Sequence, residues 1–167
     1  RDIVVQAIGN EQTLRYSDWE YTRRLEAEQK SDGKIGYVHL RAMGGDNYGE
    51  WARDYYPVFR RQGLVLDVRH NRGGNIDSWI LGKLLRKAWF FWQDRAGDPY
   101  WNMQYAFRGH MVVLVNEWTA SDGEAFAEAL VCRQRRYGFD GILVNLHGRE
   151  PGWGLNVIQQ GNIASAG

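Results

Sequence analysis

Two short segments carry the residue types that acyl-transfer chemistry requires. In Asn116-Glu117-Trp118-Thr119-Ala120-Ser121-Asp122-Gly123-Glu124, an apolar run gives way to small residues and then to a serine at the start of a helix-forming stretch. A hydroxyl there sits at the positive end of a helix, beside unpaired backbone N–H groups. In Asp67-Val68-Arg69-His70-Asn71-Arg72-Gly73-Gly74-Asn75, paired glycines permit positive φ and let the backbone approach a ligand with its amides turned into a concavity, which suits an oxyanion. Each segment also has a plainer reading. Ser121-x-x-Glu124 is a capping box, and Gly73-Gly74 is a tight strand-to-helix turn with Asn75 as the helix N-cap. On residue types and spacing alone, both readings of each segment stand.

A serine hydroxyl is almost wholly protonated at neutral pH, so as a nucleophile it needs a base, and Lys and His are the usual choices. The four lysines, Lys30, Lys34, Lys83 and Lys87, all precede Ser121, which excludes a dyad with a downstream lysine inside this sequence. The histidines are His39 in a strand, His70 beside the glycine turn, His110 at a strand start and His147 in the tail. His70 is the best placed, although an ordinary surface-loop histidine is the simpler account of it. No His or carboxylate pair has metal-ligand spacing and no glycine pattern matches a phosphate-binding fingerprint, so the expectation is no cofactor.

The elements that would hold these segments follow from periodicity. Ile3 to Ile8 is a β-branched run ending at Gly9-Asn10. Leu14 to Gln29 has a thin apolar stripe among charges and reads as an amphipathic helix lying across the surface. Lys34 to Leu40 alternates as a strand, and Asp46 opens a helix to about Arg61. Leu64 to Val68 and Met111 to Val115 are continuous apolar runs of the kind expected of strands covered on both faces. Asn75 to about Ala88 and Ser121 to about Val131 are helical, and the aromatic stretch Trp89 to Tyr105 between them reads as irregular. Beyond Gly138, the runs 141–146 and 155–158 could be short strands, but the glycines and Pro151 around them favour loop. Strand, helix, strand, glycine turn, helix, strand, turn, helix is the order expected of crossovers onto a largely parallel sheet in an α/β domain.

Composition narrows the classes. At 167 residues and 44% hydrophobic, the chain can bury a full core, and disorder is excluded for most of it. With 21 basic and 20 acidic residues, its net charge of +1 gives no field to recruit nucleic acid or an anionic membrane. No apolar run approaches the ~20 residues of a bilayer span. The single cysteine, Cys132, allows neither an internal disulfide nor a multi-thiol zinc site and does not decide the compartment; a cytoplasmic location is the expectation, with an extracytoplasmic one as the alternative. Seven aromatic residues between Trp89 and Tyr105 must be buried or bind something.

Taken together, Lys34 to Leu40 with Met43-Gly44, then Gly63 to Asn75, then Asn116 to Gly123 resemble, in order and spacing, the catalytic core of tricorn-type serine peptidases. These are related to the carboxy-terminal processing proteases. The resemblance covers about residues 1 to 131 and implies a ClpP/crotonase-like core of ββα units with a largely parallel sheet. It implies that Ser121 is the nucleophile, and that the amide of Asp122 and one from Gly73-Gly74 form the oxyanion hole. It also implies that peptides are the substrates and that the protein forms homo-oligomers. The family's base is a histidine, with a neighbouring serine, ahead of a PDZ-like module, which places it upstream of Arg1. Its supporting Glu follows a stretch similar to Gly161-Asn162-Ile163-Ala164-Ser165-Ala166. The expected organisation is therefore the end of a PDZ-like module or linker over 1–10, a linker helix over 11–33, and a catalytic core over 34–167 that is incomplete at its C-terminus. Only Gly152-Trp153-Gly154 suggests the family's glycine- and tryptophan-rich loop within 132–160. Two other readings compete: a non-catalytic binding module using the aromatic cluster 89–105, and a degenerate peptidase domain kept for assembly.

Overall fold

The computed structural model describes residues 9–137 and 141–145. The expected strands at 3–8 and 155–158, His147 and the Gly152-Trp153-Gly154 loop lie outside the described residues. Four parallel strands form the main sheet in the order β1 (Ile35–His39), β2 (Gly63–Asp67), β5 (His110–Val115) and β6 (Gly141–Asn145). A separate antiparallel ribbon joins β3 (Phe90–Trp92) to β4 (Tyr100–Asn102). The helices are α1 (Gln12–Lys30), α2 (Asn47–Tyr55), α3 (Asp77–Leu84) and α4 (Asp122–Tyr137). None of the described helices is long and apolar enough to cross a membrane.

Strand alternation divides the sheet into two unlike faces. Val38, Leu64, Leu66, Met111, Val113 and Val115 point into one core, which α2, α3 and α4 close with Trp51, Tyr55, Ile80, Leu84, Phe126 and Leu130. Trp51 and Tyr55 stack at 4.6 Å. Side chains of this size each contribute about 1.5–3 kcal/mol when fully buried, so this face carries most of the apolar stabilisation. The opposite face is polar where α1 covers it: Tyr37, His39 and Asp67 alternate with the core residues of β1 and β2. Val65, Val112 and Leu114 on that face are only half-buried, which corrects the expectation of strands covered on both sides. The reason is that α1 packs along β1, at the sheet edge, and buries none of its own residues completely. α1 accordingly lies across the surface, as its thin apolar stripe predicts.

Other boundaries move for local reasons. α2 stops at Tyr55, not near Arg61, because Pro57 has no N–H to give and disfavours helical backbone before it. α3 begins at Asp77, since the amides of Asn75 and Ile76 both donate to the Met43 carbonyl (2.7 and 3.2 Å). Asn75 is therefore not its N-cap; Ile76 holds that place without a side-chain cap. The stretch read as irregular holds the β3–β4 ribbon, extended by Trp89 donating to the Asn102 carbonyl at 2.8 Å. Residues 141–145 pair in parallel with β5, so the sheet wins over the loop signal of the glycines beyond them.

Candidate active site

Because the main sheet is parallel, the segments leaving β1, β2 and β5 emerge at one edge, and β2 is the central strand of the three. The turn after β2 thus lies between the other two and is hydrogen-bonded to both. On the β1 side, Met43 donates its N–H to the Gly73 carbonyl (2.9 Å), and Asn75 donates back to Met43. This one-residue parallel bridge pairs Met43 with Gly74 and uses only the groups flanking Gly74. The N–H of Gly74 itself points away from Met43 and meets no acceptor among the described residues. Only glycine fits there, because a methyl group would fall 1.9 Å from the Met43 carbonyl oxygen.

On the β5 side, Ala120 donates to the Asn71 carbonyl at 2.8 Å, and Thr119, which is buried, donates its hydroxyl to the Val68 carbonyl at 2.8 Å. These bonds seat Ser121 against the glycine turn. A methyl group at Gly73 would lie 2.6 Å from Ser121 Cβ, 2.9 Å from Ser121 Oγ and 2.9 Å from the Asp122 amide nitrogen. The hydroxyl and that amide therefore face one small space, kept open by the missing side chain of Gly73, whose φ is +92°.

Ser121 has φ +56°, a left-handed conformation that costs a non-glycine residue about 1–2 kcal/mol. His70, in the other turn, is at φ +64°. Only half of the expected capping box forms. Glu124 Oε2 accepts from the Ser121 N–H at 3.1 Å, but the Glu124 N–H goes to the Ser121 carbonyl at 2.9 Å and not to its hydroxyl. The hydroxyl is left exposed and without a hydrogen bond among the described residues. The Asp122 amide, first in α4, also has no acceptor there, and the helix dipole adds to its pull on negative charge. Of the two glycine amides expected here, that of Gly73 is already donated to Asn71 Oδ1 at 2.8 Å, while that of Gly74 is free. The space therefore has a nucleophile and one uncommitted donor, Asp122, at its rim, and the next residue of the glycine turn, Gly74, carries a second uncommitted amide.

The histidines stand apart from Ser121. His39 is buried under α1, where its Nδ1 donates to the Asp67 carbonyl at 2.8 Å. In the neutral ring this leaves Nε2 to accept from the Tyr16 hydroxyl at 2.7 Å. Burial holds its pKa below the ordinary 6.5 despite the attraction of Asp67 and Glu20. His70 is exposed and its ring lies 3.3 Å from Asn116 Nδ2, with no bond to Ser121. His110 opens β5, at the amino end of the strand, and so belongs to the opposite edge of the sheet.

Beneath the glycine turn, Asp67 is fully buried. Burial pushes its pKa up, but hydrogen bonds from Arg69 and Tyr37 (Tyr37 hydroxyl at 2.6 Å) and the neighbouring His39 outweigh that and hold it below the usual carboxylate range. The same burial and the Asp67 charge drive the Tyr37 hydroxyl well above its usual value. Sequence reasoning did not find Asn71, Thr119 or Asn116 as organisers of the site. Polar residues with no side-chain burial pattern to mark them look like ordinary turn residues in sequence.

Residues 34–137 match the model of peptidase family S41. The chain belongs to that family. It is 35% identical over 130 residues to tricorn protease homolog 1 of Streptomyces coelicolor, covering 78% of this chain and 12% of that protein. Tricorn protease of Thermoplasma acidophilum is 32% identical over 129 residues, covering 76% of this chain and 12% of its own length. A crystal structure of the tricorn protease superimposes with a TM-score of 0.73 at 29% identity, over 80% of this chain and 13% of that one. The chain thus spans about an eighth of the length of these relatives.

Proposed function

We propose that this chain is the nucleophile-bearing core of a serine peptidase that cleaves peptides through an acyl-enzyme on Ser121. The observation that carries the reading is the unbonded Ser121 hydroxyl, on a residue at φ +56°, beside the Gly73 space, with the Asp122 amide at its rim and the Gly74 amide of the same turn uncommitted. In this mechanism a base takes the proton from Ser121 Oγ as the oxygen attacks the scissile carbonyl. The oxygen of the tetrahedral intermediate gains negative charge and is held by the Gly74 and Asp122 N–H groups, a contribution of about 10²–10³ in rate for each donor. Collapse expels the amine, which takes the proton back from the base, and water then hydrolyses the ester by the same route. Gly73 shapes the hole and does not donate to it.

The base is a histidine outside the described residues, in line with the resemblance that places it upstream, since neither His39 nor His70 bonds to Ser121. A supporting Glu outside the described residues belongs to the same reading. So do a ClpP/crotonase-like core of ββα units, the division into 1–10, 11–33 and 34–167, homo-oligomeric assembly and a cytoplasmic location. Treating the complete protein with a fluorophosphonate probe and mapping the adduct by mass spectrometry tests the proposal. Modification of Ser121 is expected; peptidase activity with labelling elsewhere, or with none, overturns it.

A second reading rests on the ribbon, where Trp89, Phe91, Trp92 and Tyr100 are exposed: a binding module that has no need of Ser121. Replacing Ser121 with Ala separates the two, because it abolishes the function in the first and leaves it intact in the second.

A further inference from the structure

We infer that Asn71 is a positioning residue that sets the distance between the Ser121 hydroxyl and the Gly74 donor by tying the three strand-end segments together. The inference rests on the peptidase reading and deepens it. Asn71 is fully buried, and each of its side-chain polar atoms is committed to a different segment of the site. Nδ2 donates to the Leu40 carbonyl at 2.7 Å, at the end of the β1 segment. Oδ1 accepts the Gly73 N–H at 2.8 Å, inside the glycine turn. Its main-chain carbonyl accepts the Ala120 N–H at 2.8 Å, one residue before Ser121, and a methyl group at Gly123, in the first turn of α4, would press on that carbonyl at 3.1 Å.

Two consequences follow from this wiring. First, the Gly73 amide is removed from the set of donors. With that N–H pinned by Oδ1, and the Gly73 carbonyl accepting from Met43, both flanks of the Gly73–Gly74 segment are anchored, and the N–H of Gly74 is left facing away from Met43. Second, the main-chain carbonyl of the same residue fixes the turn that carries Ser121. The gap between nucleophile and donor is therefore set within one amino acid. No other described side chain bridges β1 to the glycine turn in this way; Thr119 ties only the Ser121 turn to the end of β2.

An acceptor lost from Oδ1 frees the Gly73 amide and lets the turn rotate. Misplacing an oxyanion donor by about 1 Å costs on the order of 10²-fold in rate, because the interaction is made in the transition state and not with the bound substrate. Substrate contacts made by other surfaces are untouched. The signature is accordingly a fall in kcat at constant KM, which simple loosening of the fold does not give.

The test uses the complete protein with Asn71→Ala and Asn71→Ser, beside a core variant, Leu84→Ala, which lowers Tm without approaching the site. Fluorophosphonate labelling of Ser121 in the unsubstituted protein comes first; if it is absent, the peptidase reading fails and not this one alone. Given labelling, both Asn71 variants should lose about 10²-fold in kcat with KM within about threefold, and bind a peptide aldehyde weaker in the same proportion. Leu84→Ala, assayed below its Tm, should keep kcat. Retained kcat in the Asn71 variants, a matching loss in Leu84→Ala, or a change confined to KM overturns the inference. Failure of both Asn71 variants to fold also overturns it, since Asn71 would then be a requirement of folding and not of positioning.

Discussion

In the turns after β2 and β5, buried polar side chains hold the backbone in conformations it would not choose, and three polar groups are left without a partner among the described residues: the Ser121 hydroxyl and the amides of Gly74 and Asp122. The β3–β4 ribbon does the opposite. Its backbone pairs regularly, the rings of Trp89, Phe91, Trp92 and Tyr100 are exposed, and its side chains are held by edge-to-face contacts such as Trp89 on Phe90 and by Arg108 over Phe91 and Trp101 at 4.8 and 4.9 Å. The first region holds two non-glycine residues, His70 and Ser121, at positive φ, and the catalytic proposal gives that strain a use. The exposed rings of the second have no counterpart in the catalytic proposal. Substitutions in the turns should therefore act on rate out of proportion to stability, and substitutions in the ribbon should act on neither.

The largest effect separates strain from stability. Ser121→Gly removes the nucleophile and should lower kcat by at least about 10³-fold. It also removes the cost of φ +56°, so its Tm should equal or exceed that of Ser121→Ala, by about 0.5–1 kcal/mol in unfolding free energy. A lower Tm for the glycine variant would show that the turn is unstrained. Next comes Gly73→Ala, whose methyl group fills the space between Ser121 Oγ and the Asp122 amide. A loss of about 10²-fold or more in activity, with about 1–3 kcal/mol of stability, is expected in kinetics and denaturant unfolding. Normal activity would mean that the space is not where the substrate oxygen goes.

A smaller effect lies under the turns. Because the folded state holds His39 below its ordinary pKa, the unfolded chain takes up a proton first as pH falls through about 6.5. The contribution of His39 is complete above that pH and is lost as acid is added; the depressed Asp67 adds a second loss at lower pH, as its own carboxyl protonates. Calorimetry between pH 8 and pH 5 should show Tm falling, with a shallower fall in His39→Gln. A Tm that rises on acidification would reverse the sign and contradict the assignment. The smallest effect belongs to the ribbon: Trp89→Ser should change stability by no more than about 0.5 kcal/mol and leave hydrolysis of short peptides unchanged. If Trp89→Ser abolishes function while Ser121→Gly does not, the comparison is inverted and the ribbon is the working surface.

The strand runs 64–68 and 111–115, the four helices and the two turns were legible because apolar periodicity and paired glycines are local signals. The resemblance that points to Ser121, to an amide of Gly73-Gly74 and to that of Asp122 rests on the same turns. What local signals could not carry is the wiring. Asn71 reads as one more polar residue of a loop until the parallel register brings Leu40, Gly73 and Ala120 around it. The division of labour between Gly73 and Gly74 likewise depends on a bond from Asn71 that no spacing announces. The ribbon is not legible in the sequence because its three-residue strands are too short for alternation to show, and α2 reads too long because its charged continuation hides the effect of Pro57.

The most direct test is a crystal structure of the complete protein with a peptide phosphonate bound covalently to Ser121. The account predicts the phosphonyl oxygen about 2.7–3.1 Å from both the Gly74 and Asp122 amide nitrogens, with the Gly73 N–H still on Asn71. A phosphonyl oxygen turned to solvent, or one held by the Gly73 amide with Asn71 released, would contradict it.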